Sequence, residues 1–173
     1  MDMKKAKTTN MAKSQHADTS VMMKLDRSPI HLLHRAGQSA GDIFQSKVGT
    51  ADLTPRQFAV LATVAQNEGQ DGELVEKTGI DRSTLADIVR RMLKKNLLQR
   101  RRTREDARAY AVKLTEEGWR TLHSVDPVAL EVDNIVLGAL ANGDREQFID
   151  HLNTIVAALS AMGLAKEPGN SND

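Results

Sequence analysis

Apolar positions recur every three or four residues through most of the chain, and every second residue in one short stretch. Residues 1–27 (MDMKKAKTTNMAKSQHADTSVMMKLDR) follow neither period and read as a flexible basic tail. Ser28-Pro29 opens a helix, because Ser caps well and Pro suits the first turn. Its stripe is Ile30, Leu33, Ala36, Ala40, Ile43 and Phe44, and it runs to about Val48, with Gly49 as its stop. Thr54-Pro55-Arg56-Gln57 predicts a second helix entered through a capping box, with Phe58, Leu61, Ala62 and Ala65 inward and Asn67 and Gly69 at its end. Two short helices follow, at about 71–78 and 82–95, joined by a turn at Gly79, with Ile80 filling the turn and Asp81 as N-cap. In the second of them Leu85, Ile88, Val89 and Met92 face inward, while Ser83, Asp87, Arg90, Arg91 and Lys94 share the other side. That pairing is the pattern of a helix-turn-helix, although any short αα-hairpin could share it.

Beyond Asn96, placed where a helix needs a left-handed residue to stop, the period changes to two. Leu97 and Leu98 lead into a run of arginines, Thr103 to Ala107 form a turn, and AYAVKL (109–114) alternates with Tyr110, Val112 and Leu114 on one face. This predicts a β-hairpin, a wing, attached directly to the helix-turn-helix. Thr115 caps the next helix, Asp126-Pro127 should break or kink it, and it resumes through Val128, Val132, Ile135, Val136 and Leu140. Asn142-Gly143 ends it, and Asp144 with Gln147 offers a cap for the last helix. There Phe148, Leu152, Ile155, Leu159 and Met162, widened by Ile149 and Val156, make a stripe too broad for one neighbour, so a second subunit should cover it. The expected fold is mainly α with a small β-hairpin wing. Its parts are a flexible tail (1–27), a helix segment (28–52), a winged helix-turn-helix (53–118), C-terminal helices (119–165) and a second flexible tail (166–173). Trp119 and Tyr110 are expected in the core around the base of the wing.

Composition narrows the chemistry. Aromatic residues are only 3% of the 173, so the core must be aliphatic, and the absence of cysteine excludes disulfides and thiolate metal sites. No apolar stretch reaches the length of a membrane span and no secretory signal opens the chain, so a cytoplasmic protein without membrane contact is expected. The formal charge of +1 conceals a strong asymmetry. Residues 82–108 carry +7, residues 28–81 carry −3 and residues 109–173 carry −6. Five arginines (Arg100, Arg101, Arg102, Arg104 and Arg108) fall within nine positions. A basic patch on an otherwise acidic molecule attracts polyanions, and double-stranded DNA is the expected partner.

Three stretches together resemble the MarR family of winged-helix transcription regulators: LTPRQFAVL (53–61), ELVEKTGIDRSTLADIVRRMLKKNLLQR (73–100) and EDARAYAVKLTEEG (105–118). The last holds the family's Asp-x-Arg as Asp106-Ala107-Arg108, and its Leu-Thr-x-x-Gly as Leu114 to Gly118. Asn96 and Thr103 stand where the family often has Gly and Asp, which leaves this wing more positive than usual. The resemblance implies a homodimer built from the first and last helices. It also implies two winged domains reading an inverted repeat, acting as a repressor that a small-molecule effector releases. Ser83, Thr84, Asp87 and Arg91 would meet base edges from the recognition helix, with Arg90 beside them. Arg108 would enter a minor groove, held extended by Asp106. Arg100, Arg101, Arg102, Arg104, Lys94 and Lys95 suit phosphates.

The family's effectors bind between the dimerisation helices and the winged domain. On that implication His31, His34 and Arg35 could meet an aromatic carboxylate or its thioester. The same histidines stand three apart on one helix, a spacing that could also ligate a metal, but no third ligand or HExxH pattern accompanies them. They could equally line a dimer contact. No nucleophile–base pair, phosphate loop or paired catalytic carboxylates appear, so no cofactor and no metal are expected. Two alternatives stay open: a winged-helix module that binds protein or RNA, and a metal-dependent enzyme using His31 and His34.

Overall fold

The computed structural model describes residues 24–67, 71–102 and 110–164. Expectations for most of the N-terminal tail, for the C-terminal tail and for the wing tip, including Arg104, Asp106 and Arg108, lie outside these residues, as do the side chains of Arg102 and Tyr110. The elements run α1 (Pro29–Lys47), α2 (Pro55–Asn67), α3 (Asp71–Thr78), α4 (Arg82–Lys94), β1 (Leu98–Arg102), β2 (Tyr110–Leu114), α5 (Glu116–Gly138) and α6 (Arg145–Leu164). Short 3-10 turns sit at Gly49–Ala51 and Asn142–Asp144. The chain divides into two compact units, with the boundary inside α1 between Ile43 and Phe44.

In the first unit α1 shows solvent an apolar side: Ile30 is 80% exposed, and Leu32 and Leu33 are exposed as well. In the second unit an aliphatic core is drawn from every element of the helix-turn-helix and wing. Leu53, Leu61, Leu74, Met92, Leu98 and Val125 are fully enclosed, and Phe44 closes one side against Phe58 with ring centroids 5.8 Å apart. Each of these contributes on the order of 1.5–3 kcal/mol of burial. Lys47 pairs with Glu131 at 2.7 Å, an exposed contact of small energetic weight.

Local sequence chemistry fixes where the helices begin and end. The Thr54 N–H donates to Gln57 Oε1 (2.9 Å), and the Gln57 N–H donates back to Thr54 Oγ1 (3.3 Å), a closed capping box on α2. Gly79 turns the chain between α3 and α4 at φ +64°, a region open to glycine without a Cβ penalty. Asn96 adopts φ +57° after α4. Its N–H reaches Leu93 O, while Leu97 N–H reaches Met92 O, with Met92 and Leu97 both buried beneath the turn. These are the two bonds and the apolar contact of a Schellman stop.

The wing is a two-stranded antiparallel sheet in which Leu98 pairs with Leu114, Arg100 with Val112 and Arg102 with Tyr110. Its base is stapled to α5. Thr115 donates its N–H to Leu97 O (3.1 Å) and its hydroxyl to Asn96 O (2.6 Å), while Oγ1 accepts the Gly118 N–H (2.9 Å) and so caps α5. Gly118 is buried so tightly against this join that an added Cβ would overlap the Leu97 carbonyl oxygen. The Leu-Thr-x-x-Gly pattern is thus a joint between strand, turn and helix.

Three expectations need correction. The helix does not break at Asp126-Pro127: α5 passes through Pro127 without interruption. Pro127 lacks the N–H that would bond back to His123, but buried Leu122 and Val125 before it and Val132 after it hold both halves on one core. The helix then ends at Gly138, and the Asn142-Gly143 pair forms part of a separate 3-10 turn. Trp119 is not core. It is 42% exposed and lies stacked on His123 one helical turn away, with ring centroids 5.7 Å apart. The inward face of α5 passes through Gly118, Leu122 and Val125, so position 119 points past it.

Candidate nucleic-acid interface

The first turn of α4 is organised by one carboxylate. Asp81 Oδ1 accepts the Thr84 N–H at 2.9 Å and the Ser83 hydroxyl at 2.7 Å. These donors hold the Asp81 carboxyl far below its ordinary value, Thr84 contributing most. The helix is thereby fixed at the end where a recognition helix presents its side chains. An acid-stability signature follows. The folded-state carboxyl titrates below its ordinary value of 3.8, so the charged cap's contribution is complete above that value and fades as pH falls toward the folded one. The melting-temperature gap between wild type and Asp81→Asn should be constant above about pH 5 and narrow below about pH 4. A gap that widens in acid would contradict the assignment.

Along α4, Ser83, Asp87, Arg90, Arg91 and Lys94 are exposed on one side as expected, and Thr84 is half-buried. Arg90 is tied to Asp87 at 2.6 Å. Lys95 has a partner within the chain. Its ammonium donates to Asp52 Oδ2 (2.8 Å) and to Asp52 O (3.1 Å), and its presence lowers the Asp52 carboxyl. Asp52 itself takes a left-handed conformation, φ +45°, so Lys95 clamps a turn of the backbone.

The arginines of β1 do not form one row. Successive strand residues alternate faces, so Arg100, opposite Val112, and Arg101, opposite Ala111, occupy opposite sides of the wing. Arg100 joins Arg82 and Arg90 around a cleft of about 200 Å³ between α3, α4 and β1, whose apolar lining is Val75, Leu85, Ala86 and Val89. On the other face Arg101 lies beside Gln99 and Lys113. Sequence reasoning missed Arg82 as a member of the site. Its place in the first turn of α4, one residue after the cap, was the available signal. On α1, His31 is half-buried and His34 and Arg35 are exposed. Among the described residues no three His, Asp or Glu side chains gather as metal ligands do. Among those residues, too, no helix is long and apolar enough to cross a membrane.

A capped helix with a polar outer face, preceded by a short helix and followed by a basic hairpin, is the geometry of a winged helix-turn-helix. Residues 53–110 match the MarR family. The chain is 32% identical to the HTH-type transcriptional repressor NicR of Pseudomonas putida over 66% of this chain and 73% of that one. Among solved structures it is similar to Bordetella bronchiseptica BpsR, whose DNA binding is regulated by 6-hydroxynicotinic acid. That match has 28% identity and a TM-score of 0.66, covering 72% of this chain and 96% of BpsR. It is also similar to the transcriptional repressor CouR bound to a 23-mer DNA duplex, at 26% identity and a TM-score of 0.69, covering 78% of this chain and 96% of CouR. The chain belongs to the MarR family of transcriptional regulators.

Proposed function

We propose that two copies of the chain bind an inverted-repeat operator and that a small aromatic carboxylate releases them. The observation that carries this reading is the pairing of a capped, polar-faced α4 with a hairpin bearing arginines on both faces. In this reading Ser83, Thr84, Asp87 and Arg91 meet base edges in the major groove, and Arg90 lies beside them. Arg100, Arg101, Arg102, Arg104 and Lys94 hold phosphates. Arg108, positioned by Asp106, enters the minor groove. The test is selection from a randomised duplex library by the full-length protein, then titration of the enriched sequence. Enrichment of a two-fold symmetric site supports the reading. A protein that enriches no duplex, and instead retains RNA or a partner protein, is an interaction module.

Dimerisation is supported by the outer side of α6, where Val156, Leu159 and Met162 are each more than half exposed in the isolated chain. On α1, Ile30 and Leu33 are likewise exposed and are expected to take part in dimerisation. Sedimentation should give twice the 19.0 kDa chain mass at micromolar concentration. Leu159→Glu should shift the protein toward the monomer and weaken operator binding at least tenfold, since each half-site alone supplies only part of the affinity. A monomeric wild type that still binds the full operator tightly would overturn this.

The effector class is supported by the likeness to BpsR, with His31, His34 and Arg35 as its candidate contacts. Adding 6-hydroxynicotinate or salicylate to the operator complex should release the protein. Arg35→Ala should raise the concentration needed by about tenfold, the scale of one charge-assisted contact. Release that is unchanged by this substitution would place the carboxylate elsewhere.

A further inference from the structure

The Asp81 cap settles what Ser83 can say to a base. Ser83 Oγ stands 2.7 Å from Asp81 Oδ1, and an ionised carboxylate has no hydrogen to give, so the hydroxyl is the donor of that bond. A serine hydroxyl owns a single hydrogen. Once it is spent on Asp81, the exposed side of Ser83 Oγ presents lone pairs only. We propose, resting on the DNA-binding reading above, that Ser83 reads the operator as a hydrogen-bond acceptor, selecting a base whose major-groove edge carries an exocyclic amino group.

The groove chemistry makes that choice sharp. Adenine and cytosine present amino hydrogens there, whereas guanine and thymine offer acceptors at the corresponding edge. Placed against guanine O6 or thymine O4, Ser83 would set lone pair against lone pair. Relief would require withdrawing its hydrogen from Asp81, breaking a short bond to a charged acceptor. A serine with a freely turning hydroxyl has no such preference, since it can donate or accept. Asp81 is therefore a positioning residue: it need not touch DNA, yet it fixes the polarity of a side chain that does. The same carboxylate holds the Thr84 N–H, so the orientation of the first turn and the polarity of Ser83 depend on one group. The donors around Asp81 also keep it ionised well into acid, so the acceptor assignment does not change near neutral pH.

The experiment uses the full-length protein and the duplex it selects from a randomised library. Each adenine of that duplex is replaced in turn by purine, which lacks the amino group, and each cytosine by 2-pyrimidinone. For wild type, one position in each half-site should require adenine or cytosine, and loss of its amino group should weaken binding roughly five- to tenfold. Ser83→Ala should bind the normal and amino-lacking duplexes equally, while preferences at all other positions persist. Asp81→Gly, a residue that also N-caps well but offers Ser83 no side-chain acceptor, frees the hydroxyl to donate or accept and should lose discrimination against guanine or thymine at that same position. Thermal melting of both variants checks that α4 remains folded. The inference is overturned if Ser83→Ala leaves every positional preference unchanged, or if the preference it abolishes is for guanine or thymine. If wild type enriches no sequence at all, the DNA-binding reading itself fails, and that result is distinct from the other two.

Discussion

Gly118→Ala should lower the melting temperature by roughly 6–12 °C, the shift that about 3 kcal/mol produces in a chain of this size. The Cβ would be driven into the Leu97 carbonyl oxygen, with Leu97 C at 3.1 Å and Leu114 Cβ at 3.4 Å beside it. A flexible side chain could turn aside, but a backbone carbonyl in the wing joint cannot. Relief requires pulling α5 away from β1, which stretches the bonds from Thr115 to Asn96 and Leu97. Overpacking ordinarily costs about 1–3 kcal/mol, and a clash with backbone belongs at the upper end. Thr115→Val, which keeps the shape but loses the hydroxyl bonds, should cost less, about 1–2 kcal/mol, as the loss of a helix cap. Thermal unfolding followed by circular dichroism measures both. A Gly118→Ala variant as stable as wild type would mean that α5 is not seated on the wing in this way.

What the sequence made legible follows from distance along the chain. The Thr54–Gln57 box, the Asp81 cap and the left-handed Asn96 each depend on partners within five residues, and each stands where the residue pattern placed it. Pro127 misled because its local cost is real while the compensation comes from burial on both sides. Trp119 misled because an apolar residue type says nothing about the rotational phase of its helix. The ion pair of Lys95 was not legible at all. Its partner Asp52 is 43 positions away, and no local rule joins a lysine ending one helix to an aspartate in a distant turn. The arginine run was visible as charge, but its division between two faces became readable only with the pairing register.

Affinity for DNA should fall by about a thousandfold or more between 50 and 200 mM salt, the consequence of releasing counterions from about six or more phosphates. The +7 carried by residues 82–108 is sufficient charge for two protomers to reach that number of contacts. Arg101→Ala should weaken binding to the selected operator and to random duplex by the same factor. It should also reduce the slope of log affinity against log salt by about one for each protomer. Arg101 shares the face of Gln99 and Lys113, whereas Arg100 shares the cleft with Arg82 and Arg90. Titrations by fluorescence anisotropy at four or five salt concentrations separate the two roles. A loss at Arg101 confined to the specific duplex would move this residue from phosphate to base edge.

The Thr115 staple also bears on how fast the reading head assembles. It joins residues only 19 positions apart in the chain, and the two strands it anchors are consecutive. Closing so short a loop loses little chain entropy, and folds built from near-neighbour contacts cross their barriers quickly. The recognition helix, its stop and the hairpin base should therefore organise early, before the proposed dimer forms through α6. If the chain dimerises as proposed, a nascent copy would hold a formed DNA-reading surface before it meets the second copy. The slow, concentration-dependent phase of refolding should then be one that restores operator affinity, not helical signal.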